Sequence, residues 1–172
     1  MKIGLYGIYG TYNFGCEAIV RGSVQFLKNK YKNCEIVYFS YSYEYDSTHL
    51  ADLGIKIYKV QTRRNIFKRG FNKIQKKMGM TNQILLMDYK TMLSEVDMIV
   101  SIGGDIYTIP AHLREKDKYP YYNSTVNFCE KAVNYGKTVI VYGASVGPFG
   151  EYKPAVEYYK RSLSSYSQIL CR

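Results

Sequence analysis

The chain has 172 residues, 47% of them hydrophobic, and a formal net charge of +10. This length fits one domain and this apolar content suffices for its core, while no apolar run is long enough to span a bilayer. Cys16, Cys34, Cys129 and Cys171 form no CxxC pair, and His49 and His112 stand alone, so reduced cytosolic thiols and no metal site are expected.

Met1-Lys2-Ile3 leads directly into a strand, without the cleavage pattern of a signal peptide. Ile3–Ile8 is an apolar run of strand length. Gly7, Gly10 and Gly15 stud the turn after it, and a helical pattern follows over about Cys16–Lys30. Strand, glycine-rich turn and helix at the start of an α/β chain place a ligand at the strand's carboxyl end. The helix N-terminus there offers unpaired N–H groups to an anion. The turn is not a P-loop, because Cys16-Glu17 stand where Lys and Ser/Thr are needed. Nor do its glycines fit GxGxxG, and the second strand ends in Tyr38-Phe39-Ser40 with no acid for a ribose. No dinucleotide cofactor is expected. The alternative reading is that these glycines only let the chain turn and pack.

Glu35–Ser40 reads as the second strand, Tyr41–Tyr45 as a Tyr/Ser loop, and Thr48–Leu53 as a short helix stopped by Gly54. Ile55–Val60 alternates as a third strand. Arg63–Gly79 reads as an amphipathic helix with Ile66, Phe67, Phe71, Ile74 and Met78 in one stripe; Gly70 weakens it and Gly79 caps it. Thr81-Asn82 caps a further helix over Gln83–Val96. Asp97–Ile102 is the fourth strand and runs into Gly103-Gly104-Asp105. The long segment Ile106–Tyr122 reads as a functional or mobile loop. Ser124–Tyr135 is helical, Thr138–Tyr142 is the fifth strand, and Pro154–Ser165 is the helix before the strand Gln168–Cys171. Strands alternating with helices give an α/β fold, a doubly wound, Rossmann-like parallel sheet with strand order 3-2-1-4-5-6. The final strand so close to the end makes residues 1–172 read as one domain, the N-terminal half of a two-domain protein.

Charge is unevenly placed. Leu53 to Met87 contains no Asp or Glu but holds Lys56, Lys59, Arg63, Arg64, Lys68, Arg69, Lys73, Lys76 and Lys77. Such a field favours anionic partners. Arg63–Met78 has the composition of a helix lying at an anionic membrane surface, and equally of a helix packed on the sheet with a solvated basic face. Its aromatics sit on the apolar stripe rather than on a stacking platform, so nucleic acid is not expected as a partner.

Three glycine-bearing strand ends stand in order: Tyr12-Asn-Phe-Gly15, Ser101-Ile-Gly-Gly-Asp105 and Gly143-Ala-Ser-Val-Gly-Pro-Phe149. Together they resemble the N-terminal half of the polysaccharide pyruvyl transferase family, over nearly the whole chain. The terminal Ile169-Leu-Cys-Arg172 is similar to the family's strand leading into an Arg. The resemblance implies a two-domain fold similar to the GT-B glycosyltransferases. It also implies transfer of a pyruvyl group from phosphoenolpyruvate to a sugar diol as a ketal, with no resident cofactor and with the donor's basic residues in a second domain. Cys16 and Asp105 depart from the family's pattern, standing where an acid and a third glycine are frequent.

Such chemistry needs a base for a hydroxyl and cations for phosphate. Asp105, beyond a strand and two glycines, is the candidate catalytic base, or else a cap of its own loop. Asn13, Gly15, Glu17, Gly103, Gly104, Ser145 and Gly147 are the candidate substrate-binding positions; Glu17 also reads as a structural acid in a helix's first turn. Tyrosines, of which there are 20, offer surface for sugar rings. The expected partners are a sugar or glycan acceptor, lipid-linked in many such reactions, and an anionic membrane surface at the inner face. Two function classes remain open. One is an enzyme, a pyruvyl transferase or a GT-B-type glycosyltransferase. The other is a non-catalytic module that binds glycan or anionic lipid.

Overall fold

Short, nearly continuous apolar runs make strands that are buried on both faces, and parallel pairing suits such strands. In the computed structural model β1 (Lys2–Tyr6), β2 (Glu35–Ser40), β3 (Lys56–Lys59), β4 (Met98–Ile102), β5 (Thr138–Ala144) and β6 (Gln168–Cys171) form one sheet, ordered β3-β2-β1-β4-β5-β6. Every neighbouring pair is parallel. The structure describes residues 1–62, 66–78, 85–114 and 123–172, without the side chains of Ile66, Lys68, Lys76 and Lys77. The helices are α1 (Phe14–Lys30), α2 (Tyr43–His49), α3 (Ile66–Lys77), α4 (Tyr89–Ser94), α5 (Ala111–Arg114), α6 (Ser124–Asn134) and α7 (Lys153–Ser164).

Alternate strand residues feed two cores. Ile3, Leu5, Ile36, Tyr38, Val100 and Ile102 meet Val20, Val24 and Leu27 of α1. On the opposite face Val37, Phe39, Ile99, Val139 and Val141 meet α4, α6 and α7 through Met92, Phe128, Ala132 and Tyr159. Right-handed crossovers account for the division, since the connection direction reverses between β1 and β4. That reversal point, at the carboxyl ends of β1 and β4, is where open α/β sheets bind ligands.

Several boundaries differ from the sequence reading. β1 ends at Tyr6 rather than Ile8, because Gly7 turns the chain at φ +122°. A helix occupies much of the expected Tyr41–Tyr45 loop and stops at His49; only a 3-10 turn, Ala51–Leu53, precedes the left-handed Gly54. The rings of Tyr45 and His49 stack one turn apart at 3.7 Å and support α2. α4 is shorter than the expected Gln83–Val96. Thr62 bridges Met87 in antiparallel fashion, and the Asp88 amide donates to the Gln61 carbonyl at 3.2 Å. These bonds keep the approach to α4 extended. α3 runs through Gly70. The expected caps at Gly79, Thr81 and Asn82 lie outside the described residues.

Gly7 is fixed by close approach. A Cβ there would lie 2.2 Å from the Ile102 carbonyl oxygen at the end of β4. Gly22 in α1 has open space instead. Gly7→Ala should therefore lower unfolding stability by about 3 kcal/mol or more, whereas Gly22→Ala should raise it by up to about 1 kcal/mol. Urea unfolding of the two variants measures both.

Candidate active site at the carboxyl edge of the sheet

The loops leaving β1, β4 and β5 meet along one edge. The first is held by a buried carboxylate. Asp46 of α2 is fully buried. It accepts hydrogen bonds from the Thr11 amide at 2.9 Å, the Thr11 hydroxyl at 2.6 Å and the Ser40 hydroxyl. Three donors replace the water that a buried carboxylate loses. Tyr38 donates to the Ile8 carbonyl at 3.3 Å. Burial first, and the Asp46 charge second, hold that phenol well above its usual range.

The turn so fixed displays aromatic rings. Tyr12 is 66% exposed and Phe14, the first residue of α1, is 91% exposed. Tyr9 packs on Tyr41 with ring centres 5.1 Å apart, and its hydroxyl reaches Ser124 at 3.3 Å. Beneath it the buried Tyr6 shares a 2.8 Å hydrogen bond with Tyr41. Burial is the main cause that raises the Tyr6 phenol far above its ordinary value.

The second and third loops are joined by backbone bonds. The Ser145 amide donates to the Gly104 carbonyl and the Gly147 amide to the Tyr107 carbonyl, both at 2.8 Å. Arg172, directly after β6, completes the group. Its guanidinium donates to the Ser145 hydroxyl at 3.1 Å and to an Asp105 carboxylate oxygen at 3.2 Å. It also lies over Gly104, where a Cβ would be 3.5 Å from Nη2. Both partners of the ion pair stay open to water, with 75% of the Asp105 side chain and 56% of the Arg172 side chain exposed.

The structure thus brings Gly104, Asp105 and Ser145 together. Gly103, at φ +138°, makes the bend before them, and a Cβ there would strike Ile106 at 2.6 Å. Gly147, also left-handed, lies further along the third loop. Asn13 ends the first loop as the N-cap of α1, and Gly15, expected in the turn, is the second residue of that helix. The Asn13 side-chain oxygen caps α1 by accepting the Cys16 amide at 2.8 Å. Glu17 accepts from Arg21 at 2.7 Å, and Arg21 also holds Asp52, so this acid is engaged within an ion-pair network. Arg69 and Lys73 are exposed on α3, remote from this group in sequence. Arg63 and Arg64, with the side chains of Lys68, Lys76 and Lys77, fall outside the description.

Sequence reasoning missed Arg172 and Asp46 as site residues. For Arg172 a signal existed, since the first residue beyond a parallel strand stands at the ligand-facing edge. For Asp46 there was none, because its partner Thr11 is 35 residues away. Chemically the edge offers a cation for an anion, a carboxylate for a hydroxyl proton, and exposed rings for a sugar face.

A family model described as polysaccharide pyruvyl transferase matches residues 13–172. Among solved structures, MurG of Acinetobacter baumannii is similar at 13% identity and a TM-score of 0.47, over 99% of this chain and 40% of its own. An NAD-binding oxidoreductase from Klebsiella pneumoniae follows at 15% identity and a TM-score of 0.39, over 100% of this chain and 34% of its own. This chain therefore spans well under half the length of either structure. No curated protein matches.

Two aspartates at this edge should respond differently to substitution. Asp46→Ala leaves buried donors unpaired and should cost about 3 kcal/mol or more. Asp105→Asn removes only an exposed ion pair and should change stability by less than about 1 kcal/mol. Chemical denaturation compares them directly.

Proposed function

This chain belongs to the polysaccharide pyruvyl transferase family, and from that premise we propose that it is the acceptor-side half of an enzyme that transfers a pyruvyl group from phosphoenolpyruvate to a sugar. The observation that carries this reading is the cluster of Arg172, Asp105 and Ser145 over Gly104 at the carboxyl edge of the sheet. In the transfer, two sugar hydroxyl oxygens bond to C2 of the enol, and the bond from C2 to the phosphate oxygen breaks. The methylene carbon takes one proton and becomes a methyl group; the second hydroxyl proton leaves with phosphate. The product is a cyclic ketal. Phosphoenolpyruvate is a substrate here, and no resident cofactor is required.

We assign Asp105 as the base that takes a hydroxyl proton. Its ion pair is exposed and weak, so a substrate anion can draw the Arg172 guanidinium away and free the carboxylate. Arg172 then faces the carboxylate or phosphate of the donor. Ser145 and Asn13 offer hydrogen bonds to sugar hydroxyls, and the exposed rings of Tyr12 and Phe14 suit the apolar face of a pyranose. Glu17 in the first turn of α1 opposes an anion there, which favours a sugar on that side. The remaining donor contacts belong to a second domain, as in the two-domain arrangement that the family resemblance implies. The acceptor is a cell-surface or exopolysaccharide sugar, lipid-linked, met from the cytoplasmic side at the inner face of a membrane.

Phosphate release by the full-length protein tests this reading. Release should require both phosphoenolpyruvate and a sugar acceptor, and the 172-residue chain alone should show none. Asp105→Asn should lower kcat by about 10²-fold. An unchanged rate in that variant would remove Asp105 from the mechanism. Turnover with a nucleotide sugar, and none with phosphoenolpyruvate, would replace the reading with glycosyl transfer.

A further inference from the structure

α3 is built inside out for a helix in water. Phe67 is 90% exposed, Met78 71%, Ile74 56% and Phe71 51%. With 3.6 residues per turn these four positions fall within an arc of about 60°, and the Met78 amide continues the helical bonding to Ile74. Gln75, by contrast, is buried, and Asn72 is half-buried. Among the described side chains of α3, the polar Gln75 and Asn72 are the least exposed, while the apolar stripe faces out. A helix whose burial came from the sheet would show the reverse. An aligned apolar stripe of this kind marks a contact surface.

Charge selects the occupant. From Leu53 to Met87 there are nine cations and no acid; Lys56 and Lys59 on β3 are already paired with Glu95 and Glu44, and the other seven lie between Arg63 and Lys77. Arg69 and Lys73 are exposed on the same helix. The partner must accept four large apolar side chains and also balance a positive field. A second copy would set two positive fields against each other. Nucleic acid supplies the charge but no apolar depth. An anionic bilayer surface supplies both, because apolar side chains enter the acyl boundary while cations stay among the head groups.

We propose that α3 docks the protein on an anionic membrane, inserting Phe67, Phe71, Ile74 and Met78 below the head groups. Docking there also orients the site. The excursion that carries α3 leaves from the carboxyl end of β3, and the Thr62–Met87 bridge closes its base. The Met87 sulfur lies 3.7 Å from both the Tyr6 and the Tyr41 hydroxyl and accepts from whichever of the two does not donate to the other, at the same edge as the glycine loops. A docked α3 thus brings the acceptor side toward the bilayer. The proposal deepens the placement at a membrane given above, and its test reads binding rather than turnover, so the two can fail separately.

Co-sedimentation of the protein with vesicles decides it. One set is phosphatidylcholine alone; the other contains phosphatidylcholine and phosphatidylglycerol. Binding to the anionic set should be at least about ten-fold stronger and should fall in high salt. The double variant Phe67→Ser/Phe71→Ser should lose about ten-fold or more in binding while its unfolding midpoint stays unchanged, since both rings are exposed. Equal binding to the two sets, binding to neither, or a double variant that binds like the wild type would overturn the proposal. So would a change from oligomer to monomer in the double variant without loss of vesicle binding, which would mark α3 as a protein interface.

Discussion

The buried carboxylate of Asp46 is the constraint on which the carboxyl edge depends. It joins three pieces of chain that are distant in sequence: the turn after β1 through Thr11, the end of β2 through Ser40, and α2 itself. Hydrogen bonds to a charged acceptor are stronger than neutral ones, and a buried charge left without them is costly. The turn buries Ile8 in the core on the α1 face, while Tyr12 and Phe14 point outward into solvent. The bonds to Asp46 fix the polar part of the turn beyond that anchor. The same bonds let α1 begin one residue after Asn13, whose side chain then satisfies the Cys16 amide.

The opposite end of the edge is built on the contrary principle. Arg172, Asp105 and Ser145 are joined by longer hydrogen bonds in water, where an ion pair contributes about 0–1 kcal/mol. A rigid turn beside a weakly held charge cluster suits a site that must position one substrate and rearrange around another. The backbone beneath the cluster is firm, because Ser145 and Gly147 are tied to Gly104 and Tyr107. Side chains can change partners there while the loops keep their places.

The sheet was legible because its information is local. Six short strand runs bounded by glycine or polar residues, with helices between them, determine parallel pairing, and the reversal between β1 and β4 follows from the handedness of crossovers. The glycine loops fell at strand ends for the same reason. What stayed hidden depends on distant partners. α2 could not be read from Tyr41–Tyr45, since its start is set by Asp46 turning inward to Thr11 and Ser40. The extended approach to α4 rests on Thr62, 25 residues before Met87 in the numbering. The composition of α3 was plain, but both a packed and an outward stripe fitted it; only the burial of Gln75 and the exposure of Phe67 separate the two. At the site, Asp105 and Ser145 were visible beside glycines, whereas their meeting with Arg172 required β6 to lie next to β5.

The claim that one cluster at this edge performs the chemistry is tested most directly by a double-mutant cycle in turnover. Phosphate release from phosphoenolpyruvate would be measured for the full-length protein with Asp105→Asn, with Arg172→Gln and with both. If the two side chains act on the same reacting substrate, their losses in kcat/KM are strongly non-additive, and the double variant is scarcely worse than the poorer single one. Losses that simply multiply, or single variants that keep the wild-type rate, would contradict the account.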